Sequence, residues 1–352
     1  MCWSVIGPLE GKLTGQSRVT IEVSNILSNN EKLALQINTN FEGFKVSVRI
    51  LKSIFALLYF LKALRVSTGY YISIKRGILS SFLDFLYVII ARMFKKRIIL
   101  HLHGNEIFLF SKTNKAFVFN FAIMNLRLAD MVLCLNSFQA NELRKLGISN
   151  LKILSNFTDL NLENNCSEDL VRERSDLRVT YLSNFQEEKG FLKYLSLFET
   201  FPDIQFSLCG AFLSNDSPER RAFNESYINS LPNVRYHGFV DGSAKHRVLS
   251  NSHFIFFIST YVTEAQPLSL IEAMGLGCVP IVANRPYISD IVTSENGVIL
   301  SSDPDMDEIR DAMNSLTIEK YLQLSESCRK LAAFHTTTAF EASLLDTFDE
   351  VI

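Results

Sequence analysis

The sequence predicts an α/β protein made of two doubly wound domains with parallel sheets. Three observations carry that prediction. Short apolar runs alternate with amphipathic stretches along most of the 352 residues, the pattern of strands covered on both faces by helices. The length is generous for one core and ordinary for two. The charge also changes sign at mid-chain: residues 1–160 hold 20 Lys/Arg against 9 Asp/Glu, and residues 161–352 hold 15 against 28. A net charge of −2 thus conceals +11 followed by −13.

The first half reads as strands at 2–8, 33–39, 69–75, 97–104 and 131–137. A polar, Asn-rich and acidic break at 152–169 reads as a linker. Strands resume at 178–184, 204–210, 233–239, 253–259 and 278–284, with helical stretches between them. The end of the chain, 340–352, has the spacing of an amphipathic helix. Domains are therefore expected at 1–160 and 161–335, with the helix at 336–352 able to return to the first. In such folds ligands bind at the carboxyl ends of the strands, and the distinctive loops fall at those ends. They are GPLEGKLTGQS (7–17), HLHGN (101–105) and NFQEEKG (184–190).

Composition excludes several classes. The apolar stretches 53–64 and 78–94 are broken by Lys62, Asp84 and Arg92, and both fall short of a spanning helix. The N-terminus has no basic region and no small-residue cleavage site, so no secretory signal is expected. Six scattered cysteines form no metal-like pair and read as free thiols of a reducing, cytoplasmic compartment. Between Phe44 and Arg97, cations such as Lys45, Arg49, Lys52, Lys62 and Arg65 punctuate long aliphatic runs. Two readings stay open there: buried core helices with solvated ends, or a surface resting on an anionic membrane at the inner face of the cell membrane. Nucleic acid is not an expected partner, because the cations lack interleaved aromatic platforms.

The segment EAQPLSLIE (264–272) places two glutamates around a proline suited to the first helical position. Glu264 is expected in the loop at the helix mouth. Glu272 belongs in the second turn, roughly 7–8 Å beyond Pro267 at about 1.5 Å per residue. Acceptors flanking an electropositive helix end suit a hydroxylated ligand that bears phosphate. Lys189 offers a mobile ammonium to such a phosphate, and His103 closes a strand beside Gly104. His101 shares the face of His103 and competes with it. The Gly-rich loop 7–17 is not a Walker loop, since its spacing is one residue short and Leu13 replaces the hydroxyl. Asp303 and Asp305 have an Asp-x-Asp spacing but read as helix-capping residues rather than metal ligands.

Taken together, SNFQEEKGF (183–191), NVRYHGFV (233–240), STYVTEAQPLSLIEAMGLGCVPIVAN (259–284) and NGVIL (296–300) resemble the family 4 retaining glycosyltransferases. That resemblance implies two facing Rossmann-like doubly wound domains (the GT-B fold), with residues 1–160 on the acceptor side and 161–335 binding the nucleotide-sugar. It implies that Glu264 touches the transferred sugar and Glu272 the ribose. Lys189 would neutralise the diphosphate, and His103 would lie beside the sugar. Asn184, Gln266, Leu268, Gly238 and Phe239 would complete the donor site, with Gly15 and Gln16 near acceptor and phosphates. Two departures stand out: Asn184 replaces an arginine, and Ala265 and Gln266 replace a glycine and an aromatic residue. The expected activity is metal-independent transfer, without a cofactor, from a nucleotide-sugar to a glycan. The expected acceptor is lipid-linked, in bacterial surface polysaccharide (O-antigen or capsule) synthesis. A silent nucleotide-sugar-binding scaffold, or an epimerase or phosphorylase of the same fold, are the alternatives.

Overall fold

All ten strands expected from the hydrophobic pattern are present in the computed structural model. NGVIL (296–300), which resembles the family's next strand, forms another at 298–300, and one that was not expected lies at 151–153. The structure describes residues 1–11, 14–41, 43–74, 78–110, 116–158, 177–212 and 217–352. Most of the expected linker (159–169), Leu13 and Cys166 lie outside the described residues. The chain divides into two units: Met1–Asn156 with Val262–Gln266 and Thr337–Ile352, and Phe157–Tyr261 with Pro267–Thr336. The segment Val262–Gln266 groups with the first unit, although it falls within the range 161–335 expected for the second domain.

The first unit holds β1 (Trp3–Gly7), β2 (Leu33–Asn38), β3 (Gly69–Ser73), β4 (Arg97–His101), β5 (Met131–Cys134) and β6 (Leu151–Ile153). They lie in the order β2-β1-β3-β4-β5-β6, all parallel. Strand β6 falls at the start of the stretch read as linker; its three residues are too few to show a period. Helix α1 (Gly15–Asn29) follows β1 and opens with a capping box, in which the Ser17 amide donates to Thr14 Oγ1 at 3.2 Å. Helix α2 (Val46–Val66) buries one edge on the sheet, where Phe60 packs against Tyr70 and against Tyr87 of α3 (Ile78–Met93). The reading of two buried core helices therefore holds for only one edge of α2.

The terminal helix Thr337–Glu350 completes this unit. Phe348 meets Trp3 edge-on at 4.6 Å, and both side chains are fully buried. Lys152 reaches Asp346 and Glu350 at 2.6 and 2.8 Å, and Lys32 reaches Asp349 at 2.8 Å. These pairs are exposed enough that the aromatic contact, rather than the charges, supplies most of the docking energy.

The second unit holds β7 (Arg178–Leu182), β8 (Gln205–Cys209), β9 (Val234–Gly238), β10 (Phe254–Phe257), β11 (Val279–Ala283) and β12 (Val298–Leu300). Their order is β12-β11-β10-β7-β8-β9, again all parallel. Tyr194, Phe198, Phe206 and Phe256 form an aromatic core on this sheet, and the Tyr194 hydroxyl donates to the Val179 carbonyl at 2.7 Å. In each sheet the chain runs outward in one direction and then returns to build the other side. The reversals fall between β1 and β3 and between β7 and β10, where open α/β sheets leave a crevice. Among the described residues no helix is long and apolar enough to cross a membrane.

His101 is fully buried in β4, accepting from or donating to the Tyr71 hydroxyl at 2.6 Å through Nδ1. Burial pushes its imidazole down to about 3. The unfolded chain takes up this proton near its ordinary value of about 6.5, so between the two values the unfolded state holds the extra proton. Stability should therefore fall as pH drops through that window, by up to about 1.4 kcal/mol per pH unit from this one group. Calorimetric melting of the wild type and His101→Gln between about pH 7 and pH 4 should show the smaller slope in the variant.

Candidate active site

In the first unit, the β1–β3 reversal is capped by the start of α1. Gly15 is the first helical residue, and Gln16 Nε2 donates to Ser73 Oγ at 2.9 Å and to the Ile74 carbonyl at 2.8 Å. Gly7 ends β1 where a Cβ would meet Thr20 and Ser73 at under 3 Å, so the close packing of α1 on the sheet requires glycine there. Gln16 is thus a strut between loop and sheet.

His103 lies just past β4, 8 % exposed, with its ring 4.1 Å from that of His101. The two histidines separate by environment. His101 is sealed within the sheet against Tyr71, whereas His103 lines a cavity of about 40 Å³ with Ser81, Asp84, Gly104, Glu106 and Asn125. Asp84 and Asn125 are 2 % and 4 % exposed. Neither was singled out from the sequence as a site residue, because each sits in an apolar helical run that gives it no context.

The loop carrying Glu264 is held through its backbone. The Asn105 amide donates to the Thr263 carbonyl at 3.2 Å, and Asn105 Nδ2 donates to the Glu264 carbonyl. Asn136 Nδ2 donates to the Ala265 carbonyl at 2.7 Å. Asn156 donates from its backbone to Gln266 Oε1 at 2.6 Å and from its side chain to the Gln266 carbonyl at 2.8 Å. Gln139 braces the set from behind, giving Nε2 to Asn105 Oδ1 at 3.1 Å, while its own amide caps on Asn136 Oδ1 at 2.9 Å. All four supporting side chains are buried. Glu264 itself is half-buried, and Gln266 is 5 % exposed with an Nε2 that has no hydrogen-bond partner among the described residues. Sequence reasoning missed Asn105, Asn136, Gln139 and Asn156. The signal available in the sequence was an asparagine shortly after each of the strands that became β4 and β5.

In the second unit, Lys189 ends a short 3₁₀ turn, Glu187–Lys189, that follows β7 at the β7–β10 reversal. Its ammonium sits 4.4 Å from the ring centre of Tyr261, a cation–π contact. The Thr260 amide donates to the Glu188 carbonyl at 2.7 Å, tying the loops after β7 and β10 together. Gly190 has φ of 78°, and a Cβ there would lie 2.6 Å from the Ile258 carbonyl, so both conformation and approach demand glycine. Phe185 stacks on Phe191 at 4.5 Å and anchors the loop on either side of Lys189, while Asn184, just before Phe185, is exposed.

Glu272 is not a solvated helix acid. It is 2 % exposed, and its Oε1 accepts from Lys245 Nζ at 2.8 Å; Lys245 also lies 3.4 Å from Asp241. Lys245 was missed, since a lysine four residues after an aspartate reads as an ordinary surface pair. The helix bearing Glu272 is Leu268–Gly275, so Glu272 lies in its second turn as expected. Pro267, expected at the first helical position, instead precedes it as the cap residue with extended ψ of 117°. The Ala265 and Gln266 carbonyls are tied to Asn136 and Asn156, which holds the residues just before the proline outside the helix. Leu268 is half-buried at the first helical position. Gly238 ends β9 at φ of 67° with open space where a side chain would go, and Phe239 is 74 % exposed. Asp305 caps the helix Met306–Asn314 by accepting from the Glu308 amide at 2.8 Å, and Asp303 pairs with Lys193 at 3.2 Å.

Comparison with known proteins places this geometry in context. Residues 165–333 match the family described as glycosyl transferases group 1. No curated protein matches the chain. Among solved structures, HepE of Anabaena in complex with UDP is similar at 15 % identity and a TM-score of 0.76, over 99 % of this chain and 100 % of that one. Sucrose-phosphate synthase of Thermosynechococcus elongatus is similar at 15 % identity and 0.77, over 99 % and 98 %. The lipopolysaccharide outer core galactosyltransferase WaaB is similar at 15 % identity and 0.71, over the whole of both chains. The fold of the chain is GT-B, with one parallel six-stranded sheet in each unit.

Two substitutions test the described network. Lys245→Met should remove the ammonium that offsets a buried carboxylate and lower stability by about 3–5 kcal/mol, and adding Glu272→Gln should recover much of it. Asn136→Ala removes both a helix cap and the Ala265 partner, and should cost about 2–4 kcal/mol in urea unfolding.

Proposed function

We propose that the protein is a retaining, metal-independent glycosyltransferase that moves a sugar from a nucleotide-sugar to a lipid-linked glycan in bacterial surface polysaccharide synthesis. The observation that carries the proposal is the Lys189 loop at the β7–β10 reversal, inside the segment that matches glycosyl transferases group 1. In this reading the second unit holds the donor. Glu272, with Lys245 fixing its carboxylate, takes the ribose, while Gly238 and Phe239 border the base. Asn184 and Leu268 line the diphosphate path. Similar structures hold UDP or UDP-glucose, which makes uridine donors the first to try.

In the proposed reaction the bond from the anomeric carbon to the phosphate oxygen breaks, and the diphosphate leaves toward Lys189. The acceptor oxygen then bonds to the anomeric carbon on the same face, and its proton passes to the departing phosphate oxygen. Glu264 orients sugar hydroxyls, Gln266 Nε2, which has no partner among the described residues, supplies a donor to a sugar oxygen, and His103 lies beside the reacting carbon. Gly15 and Gln16 border the acceptor, and Asp84 and Asn125 offer hydroxyl contacts in the cavity beside His103. Such a mechanism asks the protein for positioning and for stabilisation of developing charge. Asn184 contributes no charge where related enzymes carry arginine, so Lys189 bears more of that task.

The test combines binding and turnover. Thermal-shift screening of UDP-, GDP- and ADP-sugars should reveal one stabilising donor. With it, Lys189→Ala should lower kcat about 10²–10³-fold, whereas Glu272→Ala should mainly raise the donor KM. EDTA should leave turnover intact. Donor binding without nucleotide release across a panel of acceptors would instead favour the silent scaffold, a reading that the uncharged Asn184 supports.

A further inference from the structure

Helix α2 presents its apolar side outward. Of its 21 residues only Ala56, Phe60, Ala63 and Leu64 are buried, and these make the narrow edge that packs on the sheet. On the opposite side Leu51, Ile54, Phe55 and Leu58 are each at least 50 % exposed. A surface helix of a globular protein ordinarily shows the reverse, with its outer face charged. A contiguous apolar face of this kind marks a binding surface.

The charges around it say what binds. The helix contains no Asp or Glu. Its central stretch, 53–61, is uncharged and about 14 Å long at 1.5 Å per residue. Cations bracket that stretch: Arg49 and Lys52 toward one end, Lys62 and Arg65 at the other. Lys52 lies 4.2 Å from the ring centre of exposed Phe44, and Lys62 lies 5.4 Å from that of exposed Tyr59. Aliphatic stems and aromatic rings therefore continue the apolar surface up to each charged head. This is the profile of a helix lying in the plane of a bilayer, with its middle among acyl chains and its cations among headgroup phosphates.

We propose that α2 docks the first unit on an anionic membrane surface. A second copy of the chain fits less well. Two such faces brought together, in either orientation, would oppose cation to cation with no carboxylate on the helix to offset them. The surplus of basic residues in 1–160 favours an anionic partner over a neutral one. The surface itself is independent of the glycosyl-transfer reading, but its purpose rests on that reading: it would bring the acceptor side to a lipid-linked substrate.

Flotation of the full chain tests the inference without any donor present. The protein should rise with vesicles of equal parts phosphatidylcholine and phosphatidylglycerol at low salt, and should stay at the bottom with phosphatidylcholine alone. Lys62→Glu with Arg65→Glu should weaken partitioning by about fivefold or more per charge. Leu58→Trp should shift its emission to the blue on anionic vesicles and be quenched by lipids brominated in their acyl chains. Trp3, the one native tryptophan, is fully buried and supplies a constant background. Failure of the wild type to float with anionic vesicles would overturn the proposal. So would unchanged emission from Leu58→Trp, or self-association abolished by Leu58→Glu in a protein that never floats. A retained thermal shift with donor in Leu58→Glu would show that the fold and donor reading survive, whichever way flotation falls.

Discussion

Three consecutive backbone carbonyls, at Glu264, Ala265 and Gln266, are each received by an asparagine side chain of the first unit. Much else in the proposed chemistry depends on this clamp. A carboxylate on a free loop samples many positions, and each lost degree of freedom must be recovered at binding. Here the loop is fixed through its main chain, so the Glu264 side chain starts from a rigid base. The asparagines follow the carboxyl ends of three neighbouring strands, of which β4 and β5 are buried along most of their length. Rigidity thus passes from apolar core to polar bracket to candidate catalytic loop.

The second unit solves a related problem with charge. Glu272 would be costly to bury alone, and Lys245 makes its burial tolerable while setting the direction of one oxygen. The Lys189 loop relies on glycine and aromatic stacking instead: Gly190 permits approach to Ile258, and Phe185 on Phe191 closes the turn. One device fixes an anion and the other positions a cation, and neither uses long-range surface electrostatics.

The strand framework was legible because parallel strands covered on both faces write themselves as continuous apolar runs. Phe254–Phe257 and Val279–Ala283 could hardly be anything else. Glu264, Glu272 and Lys189 were visible because proline, glycine and charge cluster around them. Strand β6 was hidden by its brevity. The asparagine clamp was hidden because its members are far apart in sequence and meet only through strand adjacency, which no local window contains. Lys245 looked like half of a surface pair with Asp241, and only the fold brings Glu272 to it. The exposure of α2 was equally unreadable: its sequence says apolar and basic, but which side meets the core depends on where the neighbouring strands stop.

The contact between Trp3 and Phe348 has a practical side. The sole indole of the chain is lodged beneath the terminal helix, and the aromatic residues in the core of the second unit are tyrosines and phenylalanines. Indole emission therefore registers the melting of one half of the molecule, and near-ultraviolet tyrosine dichroism is weighted toward the other. Superimposable denaturation curves from the two signals would mean that the halves unfold as one cooperative body; separated midpoints would rank their stabilities without any label or truncation.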